Sequence, residues 1–351
     1  MSNGITATDG AIAAYNVVLA GAWLSVLDAS SFASIAVLAH ATAAVLPWLF
    51  WGRQPALRAS LAGSGEGPHP DPGLARSERM PGGRKPGASE AMGRRVLDAM
   101  RELYPLVVIM IFWIELDRII AALARPRLDG WVLAFDERVF GRHLHIAWPS
   151  YMSSPALGEA MNFAYFAYYL LIFLPPLVLY FGRRREALRD SMFRLMVAYL
   201  ACYVFYLAFP AFGPRYTPGE YSASAGGVFG WLVERIHQAG DSRGTAFPSS
   251  HVAGAVTIAL AGWRWFSRPV AVLFTIEAAA VVLSTVYTQN HYAIDSLVGL
   301  AGTLGLQLVL IPAALHIGRA IESRAALPVL PDFEQLLGAK ERRRGAWRNM
   351  S

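Results

Sequence analysis

Long apolar runs separated by short polar segments dominate the hydrophobic pattern of this chain. Eight of them have about 17–25 residues, the length that an α-helix needs to cross roughly 30 Å of hydrocarbon. We therefore predict an all-α fold, a polytopic membrane helix bundle with about eight transmembrane helices. The predicted spans are residues 11–28, 32–51, 103–124, 159–181, 191–212, 248–266, 269–288 and 292–316.

Composition and charge agree with a membrane setting. Hydrophobic residues make up 55% of the chain and charged residues only 16%, which is unusual for a soluble domain. Of the 31 Lys and Arg residues, 23 lie in segments on one side of the predicted bundle. Because basic loops stay in the cytoplasm, we expect cytoplasmic termini and a location in the cell (inner) membrane. The arginines match this topology better than they match a nucleic-acid partner.

Differences in composition predict four regions. Residues 53–95 are rich in Gly, Pro, Ser and Arg and cannot bury enough apolar surface to offset the entropy cost of ordering. The predicted regions are a two-helix N-terminal leader at 1–51, a disordered basic cytoplasmic linker at 52–96, a six-helix core at 97–318 and a basic cytoplasmic tail at 319–351. Mixed aromatic and charged residues within 125–157 and 228–237 suit helices in the interface, as a lid or as anchors.

Two polar motifs stand where the sixth and eighth apolar runs begin. They read Pro248-Ser249-Ser250-His251 and His291-Tyr292-Ala293-Ile294-Asp295, and the predicted orientation places both at the extracytoplasmic face. A carboxylate at the mouth of an apolar helix needs water or a polar partner. Residues four apart share a helix face, so we expect Asp295 to accept a proton from one ring nitrogen of His291 and leave the other free.

This constellation suits phosphoryl transfer, which needs a nucleophile, charge neutralisation and a proton donor. We predict that His291, supported by Asp295, forms a phosphohistidine, and that His251 serves as general acid and base. The predicted phosphate ligands are Arg215, Arg243, Ser249 and Ser250, the serines contributing hydroxyls and helix-start amides. We expect no metal cofactor, although both histidines and Asp295 could in principle ligate a metal.

The motifs resemble those of the type 2 phosphatidic acid phosphatase superfamily. Its first motif reads Lys, six residues, Arg-Pro, its second reads Pro-Ser-Gly-His, and its third reads Ser-Arg, five residues, His, three residues and Asp. The resemblance covers roughly residues 97–318, and it implies a lipid phosphatase or phosphotransferase with a lipid phosphate substrate. Ala208 stands in place of the first-motif Lys, Thr285 in place of the third-motif Arg, and Ser250 in place of the glycine. These departures look most like the inositol phosphorylceramide synthase (inositolphosphotransferase) branch, which implies headgroup transfer.

Other interpretations of the same residues stay open. A non-catalytic membrane scaffold or lipid-binding protein could retain the fold, with His291 and Asp295 as a structural pair. A transporter is disfavoured because no internal repeat or pair of broken helices is visible. No chemistry is assigned to Tyr165, Tyr168 and Tyr169. The remaining histidines are set aside, on the expectation that they have no matching carboxylate at motif spacing: His40, His69, His143, His145, His237 and His316.

Overall fold

A computed structural model describes residues 6–26, 31–51, 88–221 and 227–325, and every structural statement below concerns these residues. They are mainly helical. The helices are α1 (Ala7–Ser25), α2 (Ser31–Trp51), α3 (Ala88–Leu123), α4 (Asp129–Phe140), α5 (Leu144–Tyr151), α6 (Pro155–Phe181), α7 (Arg185–Ala208), α8 (Val228–Gly240), α9 (Ser250–Trp265), α10 (Arg268–Tyr287), α11 (Ala293–Gly305) and α12 (Ile311–Ala325), with a 3₁₀ turn at Pro214–Tyr216 and a π-helical turn at Leu306–Leu310.

Every predicted apolar run coincides with a helix, which confirms the all-α membrane helix bundle. By length and composition, four helical segments of the described chain can cross a membrane: Pro155–Phe181, Arg185–Ala208, Arg268–Tyr287 and Ala293–Ala320. The prediction of eight spans exceeds this number. Helix α9 has only 16 residues, and α3 carries Glu115, Asp117 and Arg118 inside its apolar part.

The chain divides into two compact units, Met1–Leu304 and Gly305–Ser351. Both candidate motifs lie in the first unit. Most of the predicted linker, up to residue 87, lies outside the described residues, and α3 begins at Ala88 within the linker's C-terminal end. The predicted tail lies outside them from residue 326. The division into leader, linker, core and tail therefore stays a prediction.

Buried polar contacts attach the two N-terminal helices to α3. The Asp9 carboxylate accepts hydrogen bonds from Tyr104 and from Arg101, the latter at 2.5 Å. The Glu115 carboxylate accepts one from the Trp23 indole at 2.7 Å and lies 2.6 Å from His40 Nε2. Because an unpaired charge in an apolar interior is strongly destabilising, these contacts hold the predicted leader against the rest of the first unit.

Helix α9 is the central element of the first unit. It packs against α6, α7 and α10, and nearly all of its residues from Ser250 to Gly262 are buried. Its sequence is rich in Ala and Gly, and small residues let neighbouring helices approach closely in membranes. At Gly254, for example, an added Cβ would lie 2.5 Å from the Tyr199 hydroxyl.

The N-terminal end of α9 is held in place from two sides. Ser249 caps the helix, since its hydroxyl accepts a hydrogen bond from the Val252 amide at 3.3 Å. The Tyr206 hydroxyl donates to the Pro248 carbonyl at 2.7 Å and accepts from the Ser250 amide at 3.1 Å. On the other side, the Ser249 amide donates to the Asp295 carbonyl at 3.0 Å. The two motifs are thereby joined directly through their backbones.

Gly299 makes this approach of α11 to α9 possible. A Cβ at this position would lie 2.7 Å from the Ser249 carbonyl oxygen, a backbone atom that cannot rotate away. We therefore expect Gly299→Ala to lower the free energy of unfolding by about 1–3 kcal/mol through overpacking. Thermal unfolding of the purified protein in detergent measures the effect.

Gly302→Ala is the matched control on the same helix, because an added Cβ there meets no atom within 4 Å. Alanine is the better helix former, so this variant should unfold at the same or a higher temperature. Equal unfolding temperatures for Gly299→Ala and Gly302→Ala would contradict the close approach.

Candidate active site

The structure brings the histidines of the two motifs into contact. His251 lies in the first turn of α9, and His291 stands just before α11 begins. His291 Nε2 lies 3.4 Å from His251 Nδ1, and the ring centroids are 5.5 Å apart. Both side chains are buried. Two residues that are 40 positions apart in the chain therefore share one site.

The main chain determines the orientation of the His291 ring. Its Nδ1 lies 2.8 Å from the Ala246 carbonyl oxygen, to which it donates a hydrogen bond. Since a neutral imidazole carries one proton, this assignment leaves a lone pair on Nε2. The His291 amide also donates to the Thr285 carbonyl at 3.0 Å. The nitrogen that faces His251 is thus available as a nucleophile.

The predicted hydrogen bond between Asp295 and His291 is absent. Asp295 Oδ2 lies 3.6 Å from His291 Nδ1, beyond hydrogen-bond distance, and accepts instead from the Tyr292 amide at 2.9 Å. The physical reason is that α11 begins only at Ala293, so His291 does not share a helix face with Asp295. The carboxylate, which is fully buried, can act on the imidazole through its charge.

Aromatic side chains surround His251. The Tyr165 hydroxyl lies 3.0 Å from His251 Nε2 and 3.3 Å from His237 Nε2, so it bridges two histidines. The Tyr168 ring packs at 4.6 Å between centroids, and Trp113 presents an edge at 6.4 Å. Tyr165 thus has a polar role at the site that packing alone does not describe.

A small polar pocket of about 30 Å³ opens beside the two motif histidines. Besides His251 and His291, its polar lining residues include Arg215, His237, Asp241, Ser242 and Asn290. His237 Nδ1 and Ser242 Oγ are buried and have no hydrogen-bond partner among the described residues. Buried polar groups are normally paired, so these two atoms are suited to a polar ligand in the pocket.

Arg215 supplies the positive charge of the polar pocket. Burial disfavours its charged form, but a 2.6 Å hydrogen bond to Glu234 outweighs this and raises the pKa of the guanidinium above its ordinary value. The guanidinium also lies 3.8 Å from Asp241. The same hydrogen bond lowers the pKa of Glu234. Arg215 therefore remains a cation, oriented by two carboxylates.

An apolar cavity of about 250 Å³ adjoins the polar pocket, and Trp113, Tyr165, His237, Asp241 and His251 line both. Its apolar lining comes largely from α3, α6 and α7. Met110 and Ile114, which line it from α3, are 40% and 51% exposed at the surface of the bundle. His251 thus lines both the apolar cavity and the charged pocket, and His291 lines the pocket alone, an arrangement suited to an amphiphile.

The other predicted phosphate ligands do not line the polar pocket, although Ser250 lines the adjoining apolar cavity. Arg243 is 57% exposed, pairs with Asp117 at 3.0 Å and is absent from the lining of the polar pocket. The amides of Ser249 and Ser250 already donate to Asp295 and to Tyr206. Among the four predicted phosphate ligands, only Arg215 lines the polar pocket together with both histidines.

Some residues that line the polar pocket lie outside the two motifs. His237 lies on α8 and Asp241 follows that helix, and their spacing of four residues is the same as that of His291 and Asp295. The expectation that His237 has no carboxylate at motif spacing is therefore wrong, and the sequence does contain this signal. Ser242 carries no comparable signal, because a loop serine acquires its position only from the fold.

Comparison with known proteins identifies a family. The family model described as the PAP2 superfamily matches residues 130–309, slightly more than half of the chain. This segment contains both motifs, the polar pocket except Trp113, and helices α4 to α11. No curated protein and no solved structure matches the chain significantly.

The buried His237 generates a prediction about pH. Burial holds the pKa of His237 below its ordinary value, although the charge of Asp241 opposes this. As pH falls through about 6.5, the unfolded chain therefore takes up this proton before the folded protein does, and the folded state loses stability. We expect His237→Phe to reduce the fall in unfolding temperature between pH 7.5 and pH 5.5.

Thermal unfolding in one detergent across this range measures the slope. His316→Phe, at an exposed position, should keep the wild-type slope. An unchanged slope in His237→Phe would show that His237 takes up its proton equally well in both states.

Proposed function

Because the chain belongs to the PAP2 superfamily, we propose that it is an integral membrane enzyme that cleaves a lipid phosphoester through a phosphohistidine on His291. The contact between His291 Nε2 and His251 Nδ1 carries this proposal, together with the position of His251 between the apolar cavity and the polar pocket. A lipid tail fits the apolar cavity, and a phosphate fits the polar pocket beside Arg215.

The first half of the reaction breaks the bond between phosphorus and the lipid oxygen. The phosphate enters from the polar pocket and separates the two rings, and His291 Nε2 attacks phosphorus with its lone pair. A protonated His251 gives its proton to the departing oxygen, so a neutral alcohol leaves. The negative charge of the phosphate favours the protonated form of this ring before the bond breaks.

The second half restores both histidines. The now neutral His251 takes a proton from water or from an acceptor alcohol, whose oxygen attacks phosphorus and breaks the phosphorus–nitrogen bond. Arg215, His237 and Ser242 hold the phosphate oxygens in both halves. Fixed donors aimed at developing charge stabilise it more in a buried site than in water. These three residues thereby replace the Lys and Arg that the family's motifs contain and this chain lacks.

Headgroup transfer of the inositolphosphotransferase type is the finer proposal. Beyond Arg215, an open cleft of about 310 Å³ is lined by Tyr216, Tyr221, His237 and Gln238 as well. It shares Arg215, Tyr216 and His237 with the polar pocket. Tail, phosphate and a polar headgroup can thus be placed in sequence across the three spaces, as a phosphodiester donor for headgroup transfer requires.

A substrate assay separates transfer from hydrolysis. The purified protein is given phosphatidic acid, a prenyl diphosphate or phosphatidylinositol, each with and without an acceptor. The acceptor is ceramide or a diacylglycerol whose acyl chains differ from those of the donor, so that its product is distinguishable. Headgroup transfer predicts a new phospholipid only when an acceptor is present, whereas hydrolysis predicts a free phosphate compound in either case.

The orientation is also a proposal. The excess of Lys and Arg on one side supports cytoplasmic termini, and the predicted spans then place both histidines at the extracytoplasmic face. We propose the cell (inner) membrane as the location. The substrate would enter this face from the outer half of the bilayer.

The roles of the two histidines predict different responses to the leaving group. His251→Ala should lower kcat about 10²–10⁴-fold with an alkyl phosphate. It should recover much of that loss with an aryl phosphate, whose oxygen leaves without a proton. His291→Ala should lose on the order of 10⁴-fold or more with both substrates, because the nucleophile itself is gone.

Phosphate release by protein of verified folding measures both variants. Unchanged turnover in His291→Ala would support a non-catalytic scaffold or lipid-binding protein. Equal recovery of both variants with the aryl phosphate would contradict the assignment of nucleophile and acid.

Arg215 and Arg235 form a matched pair for the phosphate contact. Arg215→Gln should lower kcat/KM about 10²–10³-fold, since it removes a preorganised donor. Arg235 is exposed on α8 and hydrogen-bonds Gln238, so Arg235→Gln should keep activity within about threefold. Steady-state kinetics with the preferred lipid phosphate measures both.

Arg243→Gln tests the remaining expectation for a second arginine. Its pairing with Asp117 predicts a small effect. A loss as large as that of Arg215→Gln would show that Arg243 reaches the phosphate when substrate binds, and equal activities of Arg215→Gln and Arg235→Gln would contradict the role of Arg215.

A further inference from the structure

A second cluster of ligand-type side chains lies away from the polar pocket. Asp136 comes from α4, His143 precedes α5 and His145 lies within it. One ligand atom from each residue lies within 4.8 Å of the other two. Asp136 Oδ2, His143 Nδ1 and His145 Nδ1 are all buried and lack a hydrogen-bond partner among the described residues.

We propose that Asp136, His143 and His145 bind a divalent transition-metal ion of the Zn²⁺ type. A carboxylate oxygen and two imidazole nitrogens are ligands that this class of ion prefers. Bond lengths of about 2.0–2.2 Å place ligand atoms about 3.3 Å apart in a tetrahedral site. The three ligand atoms lie within 4.8 Å of one another without an ion, so binding must bring them closer together.

The surrounding contacts are those of a prepared metal site. His145 Nε2 lies 2.8 Å from the Glu220 carboxylate, so the other ring nitrogen, Nδ1, is the one left for a metal. Histidine ligands usually donate their second nitrogen to such a carboxylate, which fixes the tautomer and raises ligand basicity. The other oxygen of Asp136, Oδ1, accepts a hydrogen bond from the Ile294 amide at 2.8 Å. Two of the three ligands are therefore already oriented by neighbours.

The position of the cluster indicates what a bound ion does. The His145 ring packs against Tyr292 at 5.0 Å between centroids, and the Gln289 side chain donates to the His145 carbonyl at 2.9 Å. With the Ile294 contact of Asp136, these interactions reach both sides of His291. The ion joins α4 and α5 to the segment that carries the nucleophile, as a structural site separate from the phosphate.

Metal content tests the proposal directly. The full chain is purified in detergent with an affinity tag that contains no histidine, stripped with a chelator and titrated with Zn²⁺ alone. We expect about one tightly bound Zn²⁺ per chain by elemental analysis and a rise in unfolding temperature on Zn²⁺ addition. A wild-type protein that binds no stoichiometric Zn²⁺ would overturn the proposal.

Variants locate the ion. His143→Ala and His145→Ala should lose tight binding, and Glu220→Gln should weaken it about 10–100-fold while preserving shape. His316→Ala, at an exposed position, and His291→Ala should both keep one Zn²⁺, which separates this site from the proposed catalytic one.

If His145→Ala fails to fold, the Zn²⁺ affinities of Glu220→Gln and His143→Ala show whether the ion binds at this cluster. His143 is only half-buried, so its replacement should be tolerated. Wild-type affinity in both would place the Zn²⁺ elsewhere and overturn the proposal, as would loss of the ion in His291→Ala alone.

Discussion

The hydrogen bond from the Ser249 amide to the Asp295 carbonyl joins the starts of α9 and α11, and the candidate site depends on this junction. Gly299 permits it, because any larger residue would meet the Ser249 carbonyl. Once the two helix starts are held together, His251 and His291 have little room to be anywhere except in contact. The junction is made by backbone atoms, and the residue at position 299 must therefore be small enough to let them meet.

The membrane setting makes unpaired polar atoms informative. Some buried charges of the first unit find partners, as Asp9 does with Arg101 and Glu115 with His40, whereas an oxygen of Glu277 does not. Leaving a polar group unpaired in an apolar interior is destabilising, so the exceptions need an explanation. Unpartnered buried atoms occur at the polar pocket and again at the Asp136 cluster. The first set suits a phosphate, and the second suits a metal ion that holds the neighbouring segment in place.

Local sequence signals predict a large part of this molecule. Apolar runs of membrane length predict where the helices lie, and the two histidine motifs predict residues that the structure brings together. Both signals need only a short window of sequence. The contact between Asp295 and His291 differs from the prediction because it depends on where α11 begins, which tertiary hydrogen bonds to Ala246 and Ser249 determine.

Long-range packing determines which residues outside the two motifs reach the candidate site. Arg215 and Arg243 are both predicted phosphate ligands, yet one lines the polar pocket and the other pairs with Asp117. His237 depends on the docking of α8. The ligand atoms of the Asp136 cluster come together only through the turn between α4 and α5. Such placements follow from the assembled fold, which a single sequence does not display.

The central claim is that the His291 imidazole becomes covalently bonded to phosphorus while His251 acts as the general acid and base. Rapid acid-free quenching with a lipid whose scissile phosphate carries ³²P, followed by peptide mapping, tests it most directly. The account predicts an acid-labile label on the peptide that contains His291, formed and lost at the rate of turnover. A protein that turns over substrate without labelling, or that carries the label on His251 or any other residue, would contradict it.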